Sequence, residues 1–185
     1  MKRRVFIAAT LFAAGSSTAF AHGPTRQKVI ETVEINAPAD KVWARIGNFQ
    51  DMSWHPAVAK TEGQGGNTPG ETVPPAATRK LTLQGDGTAI IEETLYKHDA
   101  AKMSYSYRIT KVDVKVLPVN DYSSHLTVTA IDAGKSKVEW RGAFYRGYLN
   151  NDPPPELNDE ASKAAVVGVY RLGLDALKKE LEASN

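Results

Sequence analysis

Residues 138–161 read VEWRGAFYRGYLNNDPPPELNDEA, and the fold follows from how that stretch changes its period. Val138, Trp140, Gly142 and Phe144 alternate with polar neighbours, the period-two pattern of a half-buried strand. Residues 147–155 break the pattern with two asparagines and three prolines, a surface loop. Asn158 then reads as a helix N-cap, with Asp159 and Glu160 in a first turn whose dipole favours anions. Val167, Tyr170, Leu174, Leu177 and Leu181 follow at helical spacing, a continuous apolar stripe. A helix over 158–182 is roughly 37 Å long at about 1.5 Å per residue. One helix of that length needs a whole curved sheet to cover its stripe.

The residues upstream supply the sheet. Val29, Val33 and Ile35 share one face of a strand, and Asn36-Ala37-Pro38 begins a short helix with Asp40 in its first turn. A second short helix is expected over 49–54, stopped by Pro56. Residues 63–78 hold four glycines and three prolines, with no strand or helix pattern, and read as a mobile loop. A meander follows. Leu81 and Leu83 alternate before a Gly85-Asp86-Gly87 turn, and a strand over 89–96 ends at His98-Asp99. Met103, Tyr105, Tyr107 and Ile109 then share a face, and two further strands over 122–131 and 137–145 meet at a turn over 132–135. The expected fold is α+β: a curved antiparallel sheet of about seven strands around a long C-terminal helix, with two short helices after the first strand.

Residues 1–21 read as a cleaved export signal rather than as part of the fold. Lys2, Arg3 and Arg4 precede a short apolar run, and Ala19-Phe20-Ala21 gives the small-x-small pattern of a cleavage site. Arg3-Arg4 leaves secretory and twin-arginine export both open. The apolar run is shorter than the roughly 20 residues a membrane span needs. The expectation is a single domain over 22–185, exported to the periplasm. Without the three signal cations the chain carries 20 basic and 21 acidic residues, so charge gives no reason to expect nucleic acid or an anionic membrane.

Cysteine is absent. That removes disulfides, thiolate catalysis, covalent haem attachment, cysteine-ligated clusters and blue-copper centres. The four histidines at 22, 55, 98 and 125 show no metal-ligand spacing, so no metal or other cofactor is expected. An N-terminal His22 exposed by processing is a nitrogen-rich candidate for Cu(II), with no second histidine placed to complete it.

Strand, short helices, meander and one long helix is the order of the helix-grip fold. Here the chain resembles the SRPBCC superfamily of START-like and polyketide-cyclase-like proteins, through Ala37-Pro38-Ala39-Asp40-Lys41-Val42-Trp43 and Trp54-His55-Pro56. His22-Gly23-Pro24, Leu117-Pro118-Val119 and the run 140–161 are further similar to the MxaD-type methanol oxidation accessory proteins. The superfamily resemblance implies a cavity between sheet and helix. The narrower one implies a periplasmic helper of methanol dehydrogenase, or of its electron transfer to a c-type cytochrome.

Tyr105, Tyr107, Trp140, Phe144 and Tyr170 are expected between sheet and helix, as plain core or as the lining of a ligand cavity. Trp54 and His55 are expected at its mouth, with His55 able to serve as an acid or base or simply as a capping residue. Glu92 and Glu93 point to opposite faces, so one of them enters the cavity and they form no catalytic pair. His125 is expected to face solvent. No triad or carboxylate dyad is visible, and no catalytic residue is assigned. Tyr145, Arg146, Tyr148, Asn150, Asn151 and Asp152 form either a cap over the helix start or a partner-binding surface. The function expected is non-catalytic docking in methanol oxidation. The alternatives are a carrier of a small apolar or aromatic ligand, and a cyclase- or hydrolase-like enzyme using His55 and a cavity tyrosine.

Overall fold

The computed structural model describes residues 23–70 and 76–183. The expected signal, its cleavage site and His22 lie outside them. Seven strands form one antiparallel sheet: β1 (Gln27–Ile35), β2 (Val58–Gln64), β3 (Thr78–Leu83), β4 (Ile90–Asp99), β5 (Ser104–Val112), β6 (Val119–Asp132) and β7 (Lys135–Arg146). Their order is β1-β7-β6-β5-β4-β3-β2, so the chain places its first strand beside its last and then meanders. A short helix α1 (Ala39–Ile46) follows β1, and the long helix α2 (Asp159–Ala183) crosses the curved sheet against β1 and β7. This is the helix-grip arrangement. Among the described residues no helix is long and apolar enough to cross a membrane.

The Asn158 cap forms as expected, its Oδ1 accepting the Ala161 N–H at 2.8 Å. The buried stripe of α2 runs through Val166, Tyr170, Leu174, Leu177 and Leu181, so Val166 rather than Val167 leads it. The i to i+4 step from Val166 to Tyr170 keeps both over the sheet, where each such side chain contributes about 1.5–3 kcal/mol on burial.

Three sequence expectations give way to local chemistry. The second short helix does not form. Residues 48–58 run as successive turns, closed by Asp51 N–H to Asn48 O (3.0 Å), His55 N–H to Met52 O (2.9 Å) and Val58 N–H to His55 O (3.0 Å). The side chains of Asn48 and Asp51 take the N–H groups of Gln50 and Ser53, and so compete with a helical ladder. The residues read as one long loop also reach into the sheet, since Gly63 and Gln64 close β2 and Thr78 opens β3. β2 is an edge strand with only Val58 and Thr61 half-buried, so it carries no apolar alternation to read. The described part of the loop is tied down: Ala77 N–H reaches Thr68 O at 2.7 Å, and Gly70 N–H reaches Leu95 O at 3.1 Å. Finally, β4 continues through His98 and Asp99, because the His98 ring stacks on Tyr105 and bonds Gly47 O at 3.0 Å.

Candidate functional site

Inner faces of β3 to β7, the 52–58 turns and one side of α2 surround a cavity of about 80 Å³. Its rim is apolar and half-buried: Val58, Leu83, Ile109, Val116 and Val169. Its buried floor mixes apolar Met52, Leu81, Ile91 and Leu117 with a few polar-tipped groups, His55, Glu93, Tyr107, Tyr122 and Trp140. An apolar mouth over a few fixed polar groups is the usual make-up of a small-molecule site.

Period-two geometry places the floor. Tyr105 and Tyr107 of β5, Tyr122, Ser124 and Leu126 of β6, and Trp140 and Phe144 of β7 all point inward. Trp140 stacks on Tyr170 of α2 with ring centroids 4.3 Å apart. Its indole N–H is shared between Ser124 Oγ (2.9 Å) and the Tyr107 hydroxyl (3.1 Å). The Tyr170 hydroxyl bonds Ser124 Oγ at 3.2 Å and meets the Tyr122 hydroxyl in a short hydrogen bond. Burial pushes Tyr107, Tyr122 and Tyr170 well above the usual tyrosine range, so all three remain neutral hydroxyls. Gly142 makes this network possible, because a Cβ there would collide with the Tyr170 hydroxyl.

Beside it lies a buried ion pair. Arg79 Nε donates to Glu93 Oε2 at 2.5 Å across the β3–β4 register, and Arg79 Nη1 donates to Phe49 O at 2.8 Å. The guanidinium also lies 4.2 Å from the Phe49 ring centroid and 5.0 Å from that of Tyr107. Burial pushes the Glu93 carboxyl up, and Arg79 holds part of that rise back. Of the two neighbouring glutamates, Glu93 lines the cavity. Glu92 points outward to Lys111 at 3.2 Å.

Of the residues expected around the cavity, Tyr107 and Trp140 line it, His55 lines it from the buried floor rather than the mouth, and Trp54, Tyr105, Phe144 and Tyr170 are buried core around it. His55 donates from Nε2 to Val169 O at 3.0 Å and accepts the Ala57 N–H at Nδ1, 3.2 Å away. Both ring nitrogens are thus spent on backbone, and burial holds the ring below the usual histidine range. Trp54 and His55 seat against Gly173 of α2, where any Cβ would strike the imidazole. His125 lies half-buried on the outer face between Ser106 and Thr127 hydroxyls, both 2.7 Å away. Among the described residues no cluster of His, Asp and Glu is arranged to hold a metal.

The loop after β7 divides differently from its sequence reading. Arg146 is only 6% exposed, which corrects its place in a partner surface. Its guanidinium donates to Tyr148 O (2.7 Å) and Asn150 O (2.9 Å) and approaches Asp159 at 3.6 Å, so it fastens the loop to the start of α2. Tyr145 and Tyr148 are half-buried, and the Arg26 guanidinium lies 5.3 Å from the Tyr145 ring centroid. Asn150, Asn151 and Asp152 are exposed, beside Leu149.

Sequence reasoning passed over Arg79, Tyr122 and Ser124. The signal was there: Arg79 shares a face with Leu81 and Leu83, and Tyr122 and Ser124 share one with Leu126 and Val128.

The model of one protein family, described as polyketide cyclase / dehydrase and lipid transport, matches residues 26–182. No curated protein matches the chain. Among solved structures, an uncharacterized protein from Bacillus thuringiensis is 26% identical, with 84% of this chain and 98% of that one covered at a TM-score of 0.67. The protein XoxI from Bacillus cereus is also 26% identical, with 83% and 94% covered at a TM-score of 0.65. The ZhuI aromatase/cyclase from Streptomyces sp. R1128 shares the fold at 18% identity and a TM-score of 0.60, with 85% and 94% covered.

Proposed function

The chain belongs to the polyketide cyclase / dehydrase and lipid transport family, and we propose that it is a binding protein that holds a small, mainly apolar molecule under α2 without converting it. The observation that carries this reading is the cavity itself, a mainly apolar lining with a few polar groups in its floor. Binding is favoured over catalysis because His55, the imidazole at the cavity, has no nitrogen left for a substrate. Size narrows the occupant. A cavity of about 150 Å³ is what an engineered benzene site provides, and this one encloses about 80 Å³. A long acyl or polyketide chain does not fit inside. The ligand is therefore small, and a body as large as one aromatic ring fits only by extending past the open rim between Val58, Leu83 and Val116.

Native mass spectrometry of the protein from its own source tests this. The expected result is a small-molecule adduct that is lost on denaturation. Bare polypeptide throughout would count against the proposal.

A second reading has its own support in the MxaD-like wording of residues 140–161 and in the exposed tip formed by Leu149, Asn150, Asn151 and Asp152. On it, the protein is exported to the periplasm and docks on methanol dehydrogenase or its c-type cytochrome. Binding of the purified partners at low salt, weakened by changes at 149–152, is the expected outcome. Cytochrome reduction unchanged by the protein would remove this reading.

A further inference from the structure

The hydrogen-bond chain under the cavity has a direction. Ser124 Oγ donates to Arg141 O at 3.0 Å, so its oxygen receives both the Trp140 N–H at 2.9 Å and the Tyr170 hydroxyl proton at 3.2 Å. Tyr170 in turn receives the proton of Tyr122. Each of these protons has an acceptor. Tyr107 differs: its oxygen receives the Trp140 N–H at 3.1 Å, and its own proton has no acceptor among the described residues. Glu93 sits diagonally across from it on β4, since Glu93 pairs with Ile109 and Leu95 with Tyr107. Arg79 donates to Glu93 Oε2, and no other donor among the described residues reaches that carboxylate. Tyr107 and Glu93 both line the cavity, so a hydroxyl with an unclaimed proton and a carboxylate with one donor stand around the same space.

We infer that the cavity selects a neutral hydroxyl-bearing ligand, an alcohol or phenol. The ligand oxygen takes the Tyr107 proton, its own proton goes to Glu93, and its apolar body lies among Leu83, Ile109, Val116 and Val169. This rests on the binding reading above and names the ligand's chemical class. Charge decides the class. Arg79 and Glu93 already neutralise each other, so an ammonium or carboxylate would enter as an unbalanced buried charge. A hydrocarbon would leave the Tyr107 proton and the Glu93 oxygen desolvated and unpaired.

Calorimetric titration near neutral pH with phenol, toluene, benzylammonium and benzoate tests the inference, on the wild type and on Tyr107→Phe. That substitution changes little volume, and Trp140 keeps its bond to Ser124. Phenol is expected to bind about tenfold more tightly than toluene, with both ions weaker than phenol by at least as much. In Tyr107→Phe the gap between phenol and toluene should shrink to about threefold or less. Toluene or either ion binding as tightly as phenol would overturn the inference on the wild type alone, and so would an undiminished gap in Tyr107→Phe. Toluene binding would in those cases leave the binding reading standing. If none of the four binds, the binding reading falls and the inference falls with it.

Discussion

At the scale of single residues, the least exposed charges set the character of the site. Arg79 and Glu93 are 1% and 5% exposed at their side chains, and each is tolerable only because of the other. Glu93→Ala is expected to cost about 3–5 kcal/mol in urea unfolding, since it leaves the guanidinium buried and unpaired. The double change Arg79→Met with Glu93→Leu should cost much less than that single change. A single change worth under about 1 kcal/mol would mean that the pair is solvated in solution. His55 gives a second test. Burial keeps its ring neutral in the fold, while an unfolded histidine titrates near 6.5. Below that pH the unfolded chain takes up a proton that the folded chain refuses, so stability is full above about 6.5 and falls as pH drops below it. The slope is up to about 1.4 kcal/mol per pH unit for this buried ring, and the half-buried His125, lowered for the same first reason, adds less because solvent screens it. His55→Gln, whose amide can still donate to Val169 O, should flatten the slope between pH 6.5 and 5. An unchanged slope would show that the ring protonates in the fold.

At the scale of elements, sheet and helix meet through one missing side chain. Gly142 leaves room for the Tyr170 hydroxyl, which then closes the network through Ser124 and Tyr122. Gly142→Ala is expected to destabilise by about 1–3 kcal/mol through overpacking. In a Tyr170→Phe background the same change should cost less, because the colliding oxygen is gone. Equal costs in both backgrounds would place the strain elsewhere. Elements were legible where burial is one-sided. The stripe of α2, its Asn158 cap and the alternation in β5 and β7 all reflect a core on one face. β2 and the 48–58 turns were not legible, since an edge strand buries little and side chain–backbone bonds leave no period. Strand parity turned Tyr107 and Trp140 inward, whereas His55 was expected on a helix at the mouth and lies in turns at the buried floor. The pairing of Arg79 with Glu93 needed the β3–β4 register, which one strand's sequence does not contain. Arg146 was misread because its burial depends on where the following loop folds back.

At the scale of the whole molecule, one long helix over a curved sheet leaves a space that the core side chains do not fill. The closed aromatic network stiffens one end of that space, and the half-buried rim of Val58, Leu83, Ile109, Val116 and Val169 leaves the other accessible. On the binding reading, a small ligand enters there. Amide chemical shifts of the isotope-labelled protein, followed by NMR during titration with phenol, report that entry residue by residue. The expected result is saturable one-to-one perturbation at the cavity-lining residues of β3 to β6 and at Val169. No saturable shift, or shifts confined to outward residues such as Ile30 and Leu149, would contradict it.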